Sequence, residues 1–310
     1  MLYFIVNEKS KSGNAKQIWK EIEEVLKVRN VSYQAFVSEY RGHAGKLATE
    51  ICAMDNDDIC LVAVGGDGTA NEVINGITDF EKVRFGVIPT GSGNDLARGL
   101  SLSKDPKNGV IHILNAMKKP REDTWCMDLG EVNFGEKKRL FAISAGIGLD
   151  ALVCKKALKS TIKDILNKIR LGKLTYLVLT VQSLFTMQTA DAELFFDQEK
   201  GLQKKRMIFT AAMNFKAEGG GVPMAPAASA CDGKLSFCEA AGIPKWRTFL
   251  CLPFLVAAKH TSVHGFSVTD AKDCTIRLSR PMVVHADGEY CGEVTEVHFH
   301  CLPGKLRVLK

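Results

Sequence analysis

No run of about 20 consecutive apolar residues occurs in the chain, so no helix is expected to span a bilayer. No basic leader precedes the first strand-like run, Met1-Leu2-Tyr3-Phe4-Ile5-Val6-Asn7, and no export signal is read there. Ten cysteines are present, yet no two form a Cys-x-x-Cys pair. Without an export signal they read as reduced thiols of a cytosolic chain rather than as a disulfide framework. Charge of one sign is also scarce. A net +6 spread over 310 residues would help attract anionic substrates or an anionic membrane surface, but it is too weak and scattered to indicate nucleic acid. His298, His300 and Cys301 alternate along one strand and read as surface rather than as a zinc site. His260 and His264 have helical spacing but lack the glutamate that makes a metalloprotease pair. With 46% hydrophobic and 25% charged residues, the chain is an ordinary globular protein of about two domains.

Glycine is where the sequence becomes informative. Leu61-Val62-Ala63-Val64 reads as a buried strand, and Gly65, Gly66 and Gly68 follow it. Thr69 then opens a helical run through Val73, Ile74 and Ile77. A strand that breaks on glycines into a helix N-terminus cradles phosphate. Bare backbone lets N–H groups approach the anion, and the helix dipole adds a favourable field. Asp67 is the odd member, because a carboxylate facing a polyphosphate is repelled unless Mg2+ or a substrate hydroxyl stands between them. The alternative is a tight strand-to-helix turn with Asp67 as a local cap. The stretch is neither a Walker A loop nor the Gly-x-Gly-x-x-Gly of a dinucleotide fold.

The first third of the chain alternates strands and helices. Strands are expected at Leu2–Val6, Val31–Val37 and Phe85–Ile88, besides the one before the glycines. Helices are expected through Ile18, Ile22, Val25 and Leu26, from about Ala44 to Met54, and from Pro106 to Met117. The strand at Phe85 runs into a second glycine- and acid-bearing loop, Pro89-Thr90-Gly91-Ser92-Gly93-Asn94-Asp95. Ligands sit at the carboxyl ends of parallel strands, so two such loops reinforce each other. After the basic segment Lys118–Arg121, runs of strands take over: 124–132, 139–144, 192–196, 206–213, 234–239, 275–278 and 282–285. That is the pattern of an antiparallel domain. Between them lie a basic stretch over 155–170 and an uncharged one over 174–190, read as a core helix. A further apolar run over 249–258, holding Pro253, is read as core packing in preference to an interfacial role beside Lys245, Trp246 and Arg247.

Three motifs in order, Gly65-Gly66-Asp67-Gly68-Thr69 with Asn71-Glu72, Pro89 to Asp95, and Asp287-Gly288-Glu289, resemble the diacylglycerol kinase catalytic-domain family. The bacterial soluble lipid kinases are the members similar in length. The first loop alone is shared with NAD kinases and phosphofructokinases; the trio at this spacing is not. The resemblance spans essentially the whole chain. It implies an α/β nucleotide-binding domain (NAD kinase/diacylglycerol kinase-like) over 1–121, joined by a returning strand at about 303–310, and an antiparallel β-sandwich lipid-substrate domain over 122–302. Leu306-Arg307-Val308-Leu309 fits the returning strand. The implied reaction is transfer of the ATP γ-phosphate to the hydroxyl of diacylglycerol or a related lipid alcohol, with Mg2+, in the cleft between domains. Phosphatidic acid or an analogous phospholipid would be the product.

Carried over onto this sequence, Gly65, Gly66, Asp67, Gly68, Thr69, Ala70 and Asn71 resemble the ATP phosphate loop. Ser38 stands where the family has a hydroxyl residue, Ser92 resembles the second-loop nucleotide contact, and Asp95 a member of the acidic network around the metal. Asp287 and Glu289 resemble the carboxylates that activate the lipid hydroxyl, with Asp67 a third candidate for catalysis. In isolation, Asp287-Gly288-Glu289 also reads as a plain hairpin turn before Tyr290. An unperturbed carboxylate is a weak base, so Asp67, Asp95, Asp287 and Glu289 are expected to act as a cluster. Bacterial members carry a structural Mg2+ near an Asp-Gly-x-Leu turn. Here Ser229, Asp232 and Lys234 occupy that spacing, with Asp232 offering its side chain and the other two their carbonyls. The family's opening Asn-Pro-x-Ser-Gly-Lys is replaced by Asn7-Glu8-Lys9-Ser10-Lys11-Ser12-Gly13-Asn14, which leaves Lys11 or Lys16 to reach the phosphates. The expected partners are ATP, a membrane lipid and, transiently, the membrane surface from the cytosolic side. Nucleic acid is not expected and a homodimer is allowed. The competing readings are an NAD kinase and a nucleotide-binding regulatory protein without turnover.

Overall fold

The computed structural model describes residues 1–10, 15–159, 172–197 and 199–310, with only the backbone of 158, 159 and 172–176. The chain divides into two compact units: Met1–Leu129 with Pro303–Lys310, and Gly130–Leu302. The first unit therefore runs past residue 121. The strand Trp125–Phe134 begins in it and passes into the second.

The first unit is built on parallel strands β1 (Leu2–Val6), β2 (Gln34–Val37), β3 (Ile59–Gly65) and β4 (Val83–Pro89), in the order β2-β1-β3-β4. β1 and β3 are apolar at nearly every position and buried throughout, as parallel strands covered on both faces must be. Helices α1 (Ala15–Val28), α2 (His43–Cys52), α3 (Asp67–Gly76), α4 (Asp95–Gly99) and α5 (Pro106–Met117) link and follow them. In α1 the buried Ala15, Trp19, Ile22 and Leu26 recur at helical spacing. Trp19, Ile22 and Leu26 join Phe4, Val62, Ile88 and Ile113 in one core cluster. α5 starts where the sequence says it should. Asp105 accepts hydrogen bonds from the Lys107 and Asn108 N–H groups, and Pro106 takes the first helical position.

At the other end of the strands, Arg84 is buried and donates to both oxygens of Asp58, to the Met117 carbonyl that ends α5 and to the Lys119 carbonyl just beyond it. Arg307 and Val308 pair in parallel with Arg84 and Phe85, so residues 303–310 extend the sheet beyond β4.

The second unit is antiparallel. It contains β6 (Lys137–Phe141), β7 (Ser144–Gly148), β8 (Ala190–Phe196), β9 (Leu202–Met207), β10 (Phe209–Met213), β11 (Leu235–Ala240), β12 (Phe266–Ala271) and β13 (Asp273–Ala286). It shares β5 (Trp125–Phe134) and β14 (Glu289–Val308) with the first unit. The strands run β12-β11-β10-β7-β13-β14, with β8 paired to β13 and β9, and β5 to β6 and β14. A register break in β13 between Arg277 and Met282 lets its first half pair with β8 and its second half with β7. That switch folds the strands around a shared apolar core as a β-sandwich. Helices α6 (Leu149–Lys159), α7 (Gly172–Thr186) and α8 (Lys245–Val256) belong to this unit. The part of the 155–170 stretch from 160 onward lies outside the described residues. Among the described residues, no helix is long and apolar enough to cross a membrane.

Candidate active site

In the first unit the candidate residues gather where β1, β2, β3 and β4 end. β3 stops at Gly65, and α3 begins at Asp67 rather than at Thr69. Gly66 takes the extended N-cap conformation, and Asp67 occupies the first turn, where the helix dipole favours a negative charge. The Thr90 N–H donates to the Gly65 carbonyl at 2.8 Å, and the Asn7 N–H to Val64 at 2.9 Å. The Asn7 side chain reaches Thr69 Oγ1 at 3.0 Å, and the Ser10 and Thr90 hydroxyls are bonded to each other. Ser38 is buried, with its N–H on the Val6 carbonyl. Ala70 and Asn71 are buried in α3, and Asn71 receives the Asn75 amide on its carbonyl.

The two glycine loops touch through bare backbone. A Cβ on Gly91 would lie 2.6 Å from the Gly66 Cα, and one on Gly66 would lie 3.2 Å from the Gly91 Cα. Asn94 holds the second loop by bonding Gly91 through both its N–H and its carbonyl, each at 2.9 Å. Asp67 Oδ1 accepts the Leu96 N–H of α4 at 3.1 Å. A Cβ on Gly93 would sit 3.0 Å from Asp67 Oδ2 and 3.7 Å from Asp95 Oδ2, so the two carboxylates converge on one glycine. Asp95 is buried and bonded to Arg98, which also donates to the Gly93 carbonyl at 2.8 Å. Ser92 is exposed at the tip of this loop. Oxygen donors of this kind suit a hard cation, and space that a Cβ would fill suits a phosphate approached by main-chain N–H groups.

Gly91→Ala is expected to force the loops apart, lowering stability by about 1–3 kcal/mol and weakening nucleotide binding. Thermal melts with and without ATP check it: the variant should lose most of the ATP-dependent rise in Tm.

In the second unit, Asp287 and Gly288 form the two-residue connection between β13 and β14, with φ of 47° and 80°. Positive φ at both central positions defines a type I′ hairpin, for which Asp-Gly is a preferred sequence. The hairpin reading of this stretch is therefore correct, and it coexists with the candidate role. The Asp287 carboxylate accepts three main-chain N–H bonds, from Ala142 and Ile143 at 2.8 Å and from Ser144 at 3.1 Å. Its own N–H returns to the Ser144 carbonyl at 2.8 Å. Glu289, two positions on, is half-buried.

His285 lies beneath this turn, 2% exposed. The Gly288 N–H donates to its Nδ1 at 3.2 Å, which assigns the ring proton to Nε2; that nitrogen donates to Asp150 Oδ2 at 3.1 Å. Burial opposes charging the ring, but Asp150, Glu218 and Asp287 outweigh it and hold its pKa above the ordinary histidine value. Burial pushes the Cys291 thiol up to about 11, so it stays protonated near neutrality. Asp150, Glu218 and His285 bring ligand-type atoms within 4.8 Å of one another. With the Nε2–H group donating to Asp150 and Glu218 accepting the Ser144 hydroxyl, they belong to a hydrogen-bonded network under the hairpin.

Of the remaining candidates, Asp232 is exposed and accepts the Lys234 N–H at 3.1 Å, in a loop shared with Ser229. Lys16 lies 4.0 Å from Glu8, and Lys11 falls outside the described residues. His298 and His300 both contact Asp273, at 3.2 and 2.6 Å. Sequence reading passed over Asp128, a buried carboxylate on β5 that accepts the Gly304 N–H at 2.7 Å. Its signal was an acid between Met127 and Leu129, inside the strand expected over 124–132.

A family profile for the diacylglycerol kinase catalytic domain matches residues 1–124, and one for the YegS C-terminal NAD kinase beta sandwich-like domain matches 144–310. The chain joins a domain of the diacylglycerol kinase catalytic-domain family to one of the YegS C-terminal family. YtlR of Bacillus subtilis, a candidate lipid kinase, is 29% identical, over 99% of this chain and 98% of its own. The diacylglycerol kinase of the same organism is 27% identical, over 81% and 77%. A diacylglycerol kinase crystal structure from Bacillus anthracis superposes with a TM-score of 0.70 at 18% identity, covering 99% and 96% of the chains. An Archaeoglobus fulgidus NAD kinase in complex with ATP superposes at 0.55 and 14%, covering 100% and 94%. At such identities the two structures speak for the fold alone, and both show that a diacylglycerol kinase-like chain and an NAD kinase share it.

Proposed function

We propose that this protein is an ATP- and Mg2+-dependent kinase. It transfers the γ-phosphate to the hydroxyl of diacylglycerol or a related lipid alcohol at the face of a membrane, leaving ADP and the phosphorylated lipid. The contact of Gly66 with Gly91, flanked by the Asp67 and Asp95 carboxylates around Gly93, carries the reading. Mg2+, when bound, supplies the charge neutralisation that lets carboxylates face a polyphosphate. The N–H groups of the glycine loop and the start of α3 orient the phosphate, and the converging carboxylates are the donors for the cation. As the lipid oxygen bonds to phosphorus and the bond to the ADP oxygen breaks, the hydroxyl proton passes to a carboxylate of the Asp287-Gly288-Glu289 turn. Ser229, Asp232 and Lys234 are proposed to hold a second, structural Mg2+.

Incubation with γ-labelled ATP and extracted lipids tests this. A labelled phospholipid that disappears on chelation is expected. A labelled soluble dinucleotide, or ATP binding without transfer to any lipid, overturns it.

A further inference from the structure

α8 turns the usual logic of a surface helix inside out. It buries Thr248, Cys251 and Leu255, while Trp246, Phe249, Leu250, Phe254 and Val256, 40–66% exposed, face outward. Trp246, Phe249, Leu250 and Phe254 recur three and four positions apart, and Val256 follows Phe249 by seven, so they form one face of the helix. A monomeric protein rarely exposes so many large apolar side chains together, and such patches mark interaction sites. The patch continues onto α7, where Phe185 lies 6.1 Å from Phe249, ring to ring, and where Leu177 and Val178 are exposed. Lys245 joins the two helices by donating to the Phe185 and Met187 carbonyls.

The two helices themselves carry charge of one sign. The only charged residues in the sequences of the two helices are Lys173, Lys245 and Arg247, and no Asp or Glu occurs from Ala240 to Thr269. Arg247 and Lys259 are exposed at the two ends of the α8 face. An apolar face with tryptophan at its edge and basic residues around it suits the headgroup boundary of an anionic bilayer. A soluble protein partner would more often be met by mixed charge at the rim.

We propose that the outward face of α8, extended by Phe185 of α7, is the surface by which this protein docks on anionic lipid bilayers. The identity of the partner rests on the lipid kinase reading above. Phe249, Leu250 and Phe254 enter the acyl boundary, Trp246 sits at headgroup level, and Arg247 and Lys259 meet lipid phosphates.

The test is co-sedimentation of the full chain with vesicles of phosphatidylcholine alone or mixed with phosphatidylglycerol. Binding to the mixed vesicles is expected, with a blue shift in tryptophan fluorescence that is absent in Trp246→Phe. Leu250→Glu/Phe254→Glu should lower vesicle partition at least roughly tenfold. It should leave the thermal shift with ATP unchanged, which reports an intact fold. Equal binding by the double variant overturns the proposal, as does absence of vesicle binding by a chain that phosphorylates detergent-dispersed lipid. A dimer in light scattering that the double variant breaks, with vesicle binding unaffected, also overturns it and makes the face a contact between copies. Patch-dependent vesicle binding without transfer to any lipid supports the docking surface and sinks the kinase reading instead.

Discussion

Asp67→Ala is expected to lower phosphoryl transfer about a thousandfold while leaving the protein folded. The size follows from its place. Its Oδ2 faces the same point beside Gly93 as the Asp95 carboxylate, so its loss removes half of the proposed cation-binding pair and the field that the pair sets up in advance. The structural cost is smaller. Its Oδ1 caps the Leu96 N–H of α4, and loss of one such cap costs about 1 kcal/mol. Asp67→Asn separates the two effects, since an amide keeps an oxygen for Leu96 but removes the charge. It should be nearly as stable as the parent and nearly as inactive as Asp67→Ala. Labelled-phosphate transfer and urea denaturation, run on both variants, check this. An active Asp67→Asn would leave the carboxylate only its role as a cap.

His285→Ala is expected to be the most damaging single change to stability, at about 3 kcal/mol or more. Asp150 Oδ1 is buried without a hydrogen-bond partner, so the bond from His285 to Oδ2 carries the compensation of this carboxylate. Removing the ring strands a buried charge on one side and the Gly288 N–H on the other. Asp150→Ala added to His285→Ala should recover part of the loss, because the uncompensated charge goes with it. Denaturant midpoints of the two single variants and the pair measure that coupling.

The same ring gives opposite pH trends for stability and turnover. Its folded pKa is raised above the unfolded value, so its contribution to stability is fully present below the unfolded value and is lost as pH rises through the folded one. A second proton must go to Nδ1, where the Gly288 N–H now donates. Acidification therefore loosens the hairpin that carries Asp287 while the unit becomes more stable. In that window turnover should fall as the melting temperature rises, and His285→Gln should flatten both profiles.

The glycine loops were legible because their constraint is local. Only residues without Cβ allow Gly66 and Gly91 to touch, and the run Leu61–Val64 can only be a covered strand. The start of α3 was misplaced by two residues because Asp67 is polar and next to glycine, yet its charge favours the first turn of a helix. β9 and β12 went unread. Each pairs with one neighbour only, so exposed positions such as Lys205 and Asp270 erase the apolar pattern. The run 139–144 looked like one strand, but the chain turns between Phe141 and Ser144 to supply the three N–H groups that hold Asp287. The largest error concerned 249–258. Composition says that such residues are apolar but not which way they face, and the structure turns Phe249, Leu250, Phe254 and Val256 outward. The network of His285, Asp150 and Glu218 was invisible because its members come from three distant segments.

One strand gives the chain a particular order of assembly. β14 begins at the hairpin of Asp287 and ends beside Phe85, so the last strand of the first unit's sheet is synthesised more than half the chain after its neighbour. On the ribosome β4 must wait with an open edge, a template for wrong pairing, until residues 303–310 emerge. A chain cut after Leu302 would keep that edge exposed for its lifetime, and nascent protein would depend on holdase chaperones for longer than its size alone suggests.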